Sequence, residues 1–135
     1  MQGRFGLAHA FALFLDHYAR SRDLAAAMRD TLEEVAEIAG PARTSLLNLA
    51  VSDGTDAVVC RATVGPDQHE SNTLFVHAGM QYLCDGVECR MIDPSGEGVA
   101  NIVSSEPLSD DPGWHAVPVN HLVQIRAGQL SVEAI

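Results

Sequence analysis

The chain has 135 residues, is 47% apolar, and carries a formal net charge of −10 from eight basic and eighteen acidic side chains. All eight basic residues are arginines, which excludes lysine Schiff-base chemistry and the lysine of a phosphate-binding loop. The acidic balance argues against nucleic acid, whose binding needs a basic face to displace phosphate counterions, and makes steering of anionic ligands poor.

The most apolar early stretch, AHAFALFL (8–15), is far shorter than the roughly 20 residues of a membrane-spanning helix. The opening MQGRFG lacks the charged-then-apolar order of a signal peptide. Three cysteines, an odd count, fit a reducing compartment better than a disulfide framework. The expectation is a cytoplasmic protein of one domain over residues 1–135, with neither nucleic-acid nor membrane partners.

In chain order, Phe11, Phe14, Leu15 and Tyr18 fall at i, i+3, i+4 and i+7 and predict a first helix with one apolar stripe. Ser21 is the expected N-cap of a second helix, whose stripe is Leu24, Met28, Leu32, Val35 and Ile38, with Gly40-Pro41 as the stop. Glu33, Glu34 and Glu37 then lie on its wet face. From Thr44 the period becomes that of strands. SLLNLAVS (45–52), Asp53-Gly54 and AVVCRA (57–62) form the strongest hairpin signal in the chain. Residues 65–72 read as loop, TLFVHA (73–78) as a third strand, and QYLCDGVECRMI (81–92) as a second hairpin turning at Asp85-Gly86. A loop at Pro94–Gly98 leads into VANIVSS (99–105). Past the turn-rich DDPGW (110–114) come HLVQI (121–125), a turn at Ala127-Gly128, and QLSVE (129–133). Two helices followed by about eight short strands predict an α+β fold with a mostly antiparallel sheet.

Several constellations invite a chemical reading and fail it. Cys84 and Cys89, with His69 and His77 upstream, lack the C-x₂-C spacing and the second pair of a zinc site, so no metal is expected. Ser105, Glu106, His115 and His121 are not set in a G-x-S-x-G elbow, and structural roles are expected for all four. Glu106 precedes Pro107, which forces it into an extended conformation suited to a strand end that braces nearby backbone. Gly96-Glu97-Gly98 precedes a strand rather than a helix and is no nucleotide fingerprint.

Taken together, HAFALFLDHY (9–18), SLLNLAVSDGTDAVVCRA (45–62), TLFVHAG (73–79), CRMI (89–92) and IVSSEPLSDDPGWHAVPVNHLVQI (102–125) resemble the class II glutamine amidotransferases, a group of N-terminal-nucleophile hydrolases. The Ser-Glu-Pro element with a following Trp and Val-Pro is most similar to the branch that removes γ-glutamyl groups from small peptides in glutathione breakdown and ergothioneine synthesis. The resemblance covers the chain from Gly3 onward but only the second half of the family's usual length. It implies half of an α-β-β-α sandwich, with Asn48, Asp53, Gly54, Ser105, Glu106, Pro107 and Trp114 as structural motif positions.

The family's nucleophile is a cysteine directly after the initiator methionine, with its own α-amino group as base; here Gln2 follows Met1. Its Asn-Gly oxyanion hole and substrate-gripping arginine also belong to the half not matched. Where the family has an Asp that holds the substrate ammonium and a Glu two residues later, this chain has Gly6 and Ala8. The expectation is therefore no catalytic residue in this chain, no cofactor, and no activity alone. A complementing N-terminal half or a homo-oligomer is the expected partner, with a glutamine or γ-glutamyl substrate only after complementation. The alternative is a non-catalytic binding or assembly module, or a truncated gene product.

Overall fold

The computed structural model describes residues 6–68, 71–78, 81–84, 86–92 and 100–135. Helices α1 (Leu7–Ser21) and α2 (Leu24–Ala39) are joined by a turn in which Arg22 adopts a left-handed φ of 55° and donates its N–H to the Tyr18 carbonyl. The N-cap of α2 is Asp23, whose carboxylate accepts from the Ala26 N–H at 3.0 Å, rather than Ser21, which is the last residue of α1. Asp23 wins because α1 runs on through Ser21, leaving only two residues for the turn. His17 on α1 meets Glu34 on α2 at 2.6 Å, so one of the three expected wet-face glutamates ties the helices together.

Among the described residues nine strands follow, all paired antiparallel: β1 (Ser45–Ser52), β2 (Ala57–Val64), β3 (Phe75–Ala78), β4 (Gln81–Cys84), β5 (Cys89–Ile92), β6 (Asn101–Ser104), β7 (His115–Ala116), β8 (His121–Arg126) and β9 (Gln129–Ala134). They form a sheet ordered β1-β2-β8-β9, a second ordered β6-β3-β7, and the separate β4-β5 hairpin. The two-residue β7 has no periodic signal in the sequence, and its pairing with β3 is purely tertiary. The Asp53 turn spans four residues, with the Asp53 carboxylate accepting from the Thr55 and Asp56 N–H groups. Those bonds hold the Asp53 pKa below its ordinary value. The β8–β9 turn places Ala127 and Gly128 both at positive φ, as a two-residue hairpin requires. The expected turn residue Asp85 and the loop at 94–98 lie outside the described residues.

Strand β2 is the middle of the molecule. Val58, Cys60 and Ala62 point to the helices, joining Phe14, Met28, Leu32 and Leu122 in one buried cluster. Val59 points the other way and joins Val123, Leu74, Val76 and Val117 in a second cluster between the sheets. The order is thus helix layer, four-stranded sheet, three-stranded sheet. An α+β fold of two helices followed by antiparallel sheets is as expected from the pattern. The predicted α1 stripe is only partly buried: Phe14 packs inward, while Phe11 and Leu15 are about half exposed. The buried face of α1 runs instead through Ala10 and Phe14.

The odd cysteine count misleads. Cys84 and Cys89, directly opposed in the β4–β5 register, are joined by a disulfide, and Cys60 alone is free and buried. Two cysteines brought face to face by a short hairpin can bond whatever the total count. The same bond occupies both sulfurs considered for zinc. No described helix is long and apolar enough to cross a membrane.

Leu122 sits on β8 beneath both helices with no exposed surface. Leu122→Ala is expected to destabilise the fold by about 2–5 kcal/mol, the usual range for a core leucine truncation. Chemical denaturation that shows a loss below 1 kcal/mol, on the same scale, would contradict this packing.

Candidate functional site

Two polar assemblies interrupt the apolar layers. The first is a row across the main sheet on the face turned to the second sheet. Asn48 on β1 is registered opposite Arg61 on β2, and Arg61 opposite His121 on β8. Arg61 donates from Nε to the Asn72 carbonyl at 2.6 Å, from Nη2 to the Ser71 hydroxyl at 2.9 Å, and from Nη1 to the Val117 carbonyl. His121 Nδ1 lies 3.0 Å from the Val119 carbonyl. Asn48 Nδ2 donates to the Thr73 carbonyl at 3.0 Å, and the Thr73 hydroxyl donates to the Ser105 carbonyl at 2.6 Å. The row therefore staples segment 71–73, which enters the second sheet, and segment 117–119, which leaves it, to the first sheet. Asn48 Oδ1 is buried without a partner.

The second assembly closes the outer face of β3. His77 is buried, with Nε2 at 2.9 Å from Asp111 Oδ1 and its ring edge-on to Trp114 at a centroid distance of 5.2 Å. Asp111 Oδ1 also accepts from the Gly113 N–H at 2.7 Å, and Trp114 Nε1 donates to the Ser109 hydroxyl at 3.0 Å. These bonds fold segment 109–114 back over His77. The His77 hydrogen bond, then the Gly113 N–H, hold the Asp111 pKa below its ordinary value. Gly113 is required by space: a Cβ there would lie 2.4 Å from His77 Nε2 and 2.9 Å from Asp111 Oδ1.

Of the motif residues, the structure links Asn48 to Ser105 through Thr73, and places Trp114 on His77. Asp53 and Gly54 stand apart at the hairpin turn, where the neighbouring Asp56 carboxylate accepts from the Ala127 N–H at 3.1 Å. Ser105 and Glu106 are exposed, and Ser105 takes part through its carbonyl rather than its hydroxyl. The bracing carboxylate is Asp111, not Glu106. A carboxylate two residues ahead of an N–H in a Pro-Gly turn is the sequence signal that identifies it. Arg61 and His77 had no such signal, because their partners are 10 to 56 residues away.

The thiols offer no nucleophile. Burial pushes the Cys60 pKa up to about 11, and the other two sulfurs are bonded to each other. Among the described residues no cluster of three metal-ligating side chains forms. A groove of about 500 Å³ between α2 and the end of β2 is lined by Arg29, Glu33, Thr63 and Asn120. Its arginine is engaged with the Ala134 carbonyl and Glu133 at 2.9 and 3.4 Å. What these arrangements do chemically is position backbone; among the described residues no base, nucleophile and orienting group converge.

Two outcomes follow from the latch on β3. Gly113→Ala is expected to cost about 1–3 kcal/mol, as overpacked sites do, and unchanged denaturation would contradict the contact. The depressed Asp111 pKa means that the bond stabilises above the carboxylate's unfolded pKa and is lost as pH falls through the lower folded value. Asp111→Asn should therefore flatten the acid limb of stability against pH while leaving its neutral-to-alkaline shape unchanged. An acid limb as steep as that of the unmodified chain would contradict it.

No protein-family model and no curated protein matches this sequence. Among solved structures the chain is similar to a glutamine aminotransferase class-II domain protein from Silicibacter pomeroyi, with a TM-score of 0.67 at 17% identity. The superposition takes in 99% of this chain and 53% of that one, so this chain spans about half the length of its structural neighbour. The likeness shows a class II glutamine amidotransferase-like fold, of two helices followed by antiparallel sheets.

Proposed function

We propose that this chain is the non-nucleophile portion of a class II glutamine amidotransferase-like domain, equivalent to the C-terminal half of an N-terminal-nucleophile sandwich. The observation that carries this reading is the superposition of nearly the whole chain on about half of a class II domain. The state of the thiols supports the second part. With Cys60 buried and Cys84 bonded to Cys89, attack on a glutamine or γ-glutamyl amide needs a cysteine from outside these residues. An N-terminal cysteine suits that task, because its own amine, with a pKa near 8, lies within reach of the thiol and can take its proton. In this reading the helices and two sheets form the scaffold against which the nucleophile-bearing half packs. The polar row of Asn48 and Arg61 keeps that scaffold's inter-sheet contacts in register, and the latch of His77 and Asp111 closes the outer face of its second sheet.

A non-catalytic reading is favoured by one feature. Gly6 is the N-cap of α1 and provides no side-chain cap, at the position where the family resemblance calls for an ammonium-holding Asp. A site rebuilt around this chain would lack that charge-assisted bond.

The purified chain is expected to release no ammonia from glutamine and to cleave no γ-glutamyl dipeptide. Turnover by this chain alone that is abolished by Cys60→Ser would overturn the proposal. Turnover gained on mixing with a polypeptide that begins with a nucleophilic cysteine would favour the enzymatic reading over the non-catalytic one.

A further inference from the structure

Strands β4 and β5 stand apart from both larger sheets. They pair with each other, from Gln81 opposite Ile92 to Cys84 opposite Cys89, and no third strand joins them among the described residues. In the chain they fall between β3 and β6, whose ends Ala78 and Asn101 are themselves paired, so the hairpin extends from a ladder that is complete without it. Both cysteines are exposed and outside the two buried clusters, and Val87 between them is 94% exposed. Cys60, the remaining thiol, is buried in the helix-side cluster, where burial pushes its pKa up to about 11. The three sulfurs therefore divide into one inert thiol and one solvent-facing pair, held opposite each other by strand register. A pair so placed has a single intramolecular oxidation product, and its disulfide presents both sulfurs to a thiol in solution.

We propose that Cys84–Cys89 is a reversible, redox-sensitive staple of this hairpin, opened by small dithiols and closed by small disulfides, while both buried clusters stay as they are. In opening, a thiolate of the dithiol attacks one cysteine sulfur, the Cys84–Cys89 bond breaks, and the other cysteine leaves as a thiolate that takes up a proton. The second thiol of the reagent then attacks the reagent's own sulfur in the mixed disulfide. That step releases the second cysteine as a thiol and the reagent as a cyclic disulfide. The protein gains two electrons and two protons, and the dithiol loses them. Closing runs the same exchange in reverse against a low-molecular-weight disulfide. The conformational consequence follows from the hairpin's isolation. A two-stranded hairpin on its own is only marginally stable in water. Here the disulfide adds a covalent rung at the turn end of the ladder. Without that rung the hairpin opens between the paired Ala78 and Asn101, and the β3–β6 pairing remains. The inference concerns the hairpin alone, so it and the functional reading fail independently.

Thiol counting and limited trypsin digestion of the full chain test it. The air-oxidised chain should show one thiol in denaturant, Cys60, and dithiothreitol applied under native conditions should raise the count to three. Trypsin cuts after arginine and the chain has no lysine, so Arg90 in β5 reports on the hairpin and Arg61 in β2 on the core. After native reduction and trapping with iodoacetamide, cleavage after Arg90 should rise about tenfold or more, with cleavage after Arg61 unchanged. The paired substitutions Cys84→Ser and Cys89→Ser need no reagent and should give the same rapid cleavage after Arg90. Treating the untrapped, reduced chain with cystamine should restore both the single thiol and the original cleavage rate. Three thiols in the air-oxidised chain, reduction that requires denaturant, or cleavage after Arg90 indifferent to redox state would each overturn the proposal. Faster cleavage after Arg61 on reduction would overturn it equally, because the core would then share in the change.

Discussion

Everything in this fold depends on β2 being buried on both faces. A strand with one apolar face can close a two-layer structure; β2 and its neighbour β8 must satisfy two layers at once. Cys60 and Leu122, paired in register, lie under the helices, while Val59 and Val123, one residue along each strand, lie under the second sheet. Because side chains alternate with a period of two, a slip of one residue would exchange the two sets and ruin both clusters together. That coupling makes the β2–β8 register the point at which helix packing and sheet packing agree.

The polar groups are arranged around this constraint. Arg61 emerges at the end of the inter-sheet apolar patch, and a charged guanidinium there needs its donors satisfied. It finds Ser71, Asn72 and Val117, and in doing so fixes the chain where it enters and leaves the second sheet. Asn48, its cross-strand neighbour, extends the same seam to Thr73 and Ser105. The second sheet is thinner than the first, with strands of four, four and two residues, and its outer face at His77 is closed by a loop rather than a described helix. The Asp111 carboxylate, shared between His77 and the Gly113 N–H, holds that loop down.

The same architecture sets the character of the free thiol. The one free thiol is placed at the junction of both layers, where its pKa is raised and no base adjoins it. Burial that makes Cys60 a good packing residue makes it a poor nucleophile. The similarity to about half of a class II domain extends to these layers as a fold, two helices followed by antiparallel sheets.

By itself the sequence determined the element types and their order. Helical stripes at 3.6 spacing, alternation in 45–64, and Asp-Gly and Ala-Gly turns are local patterns, and local patterns survive without knowledge of the partners. It also marked segment 102–125 as resembling the class II glutamine amidotransferases, whose fold the structure shares. Tertiary structure alone decided which helix face is buried, so that Phe14 turns in while Phe11 stays half exposed; amphipathic stripes wider than the contact leave that choice to packing. It decided that Cys84 and Cys89 bond, because register and not the cysteine count sets the distance between them. It decided that Asp111, rather than Glu106, braces the Trp114 segment, since the group it grips is His77, 34 residues away on another strand. Spacing along a chain cannot encode a partner whose proximity is created only when two sheets close.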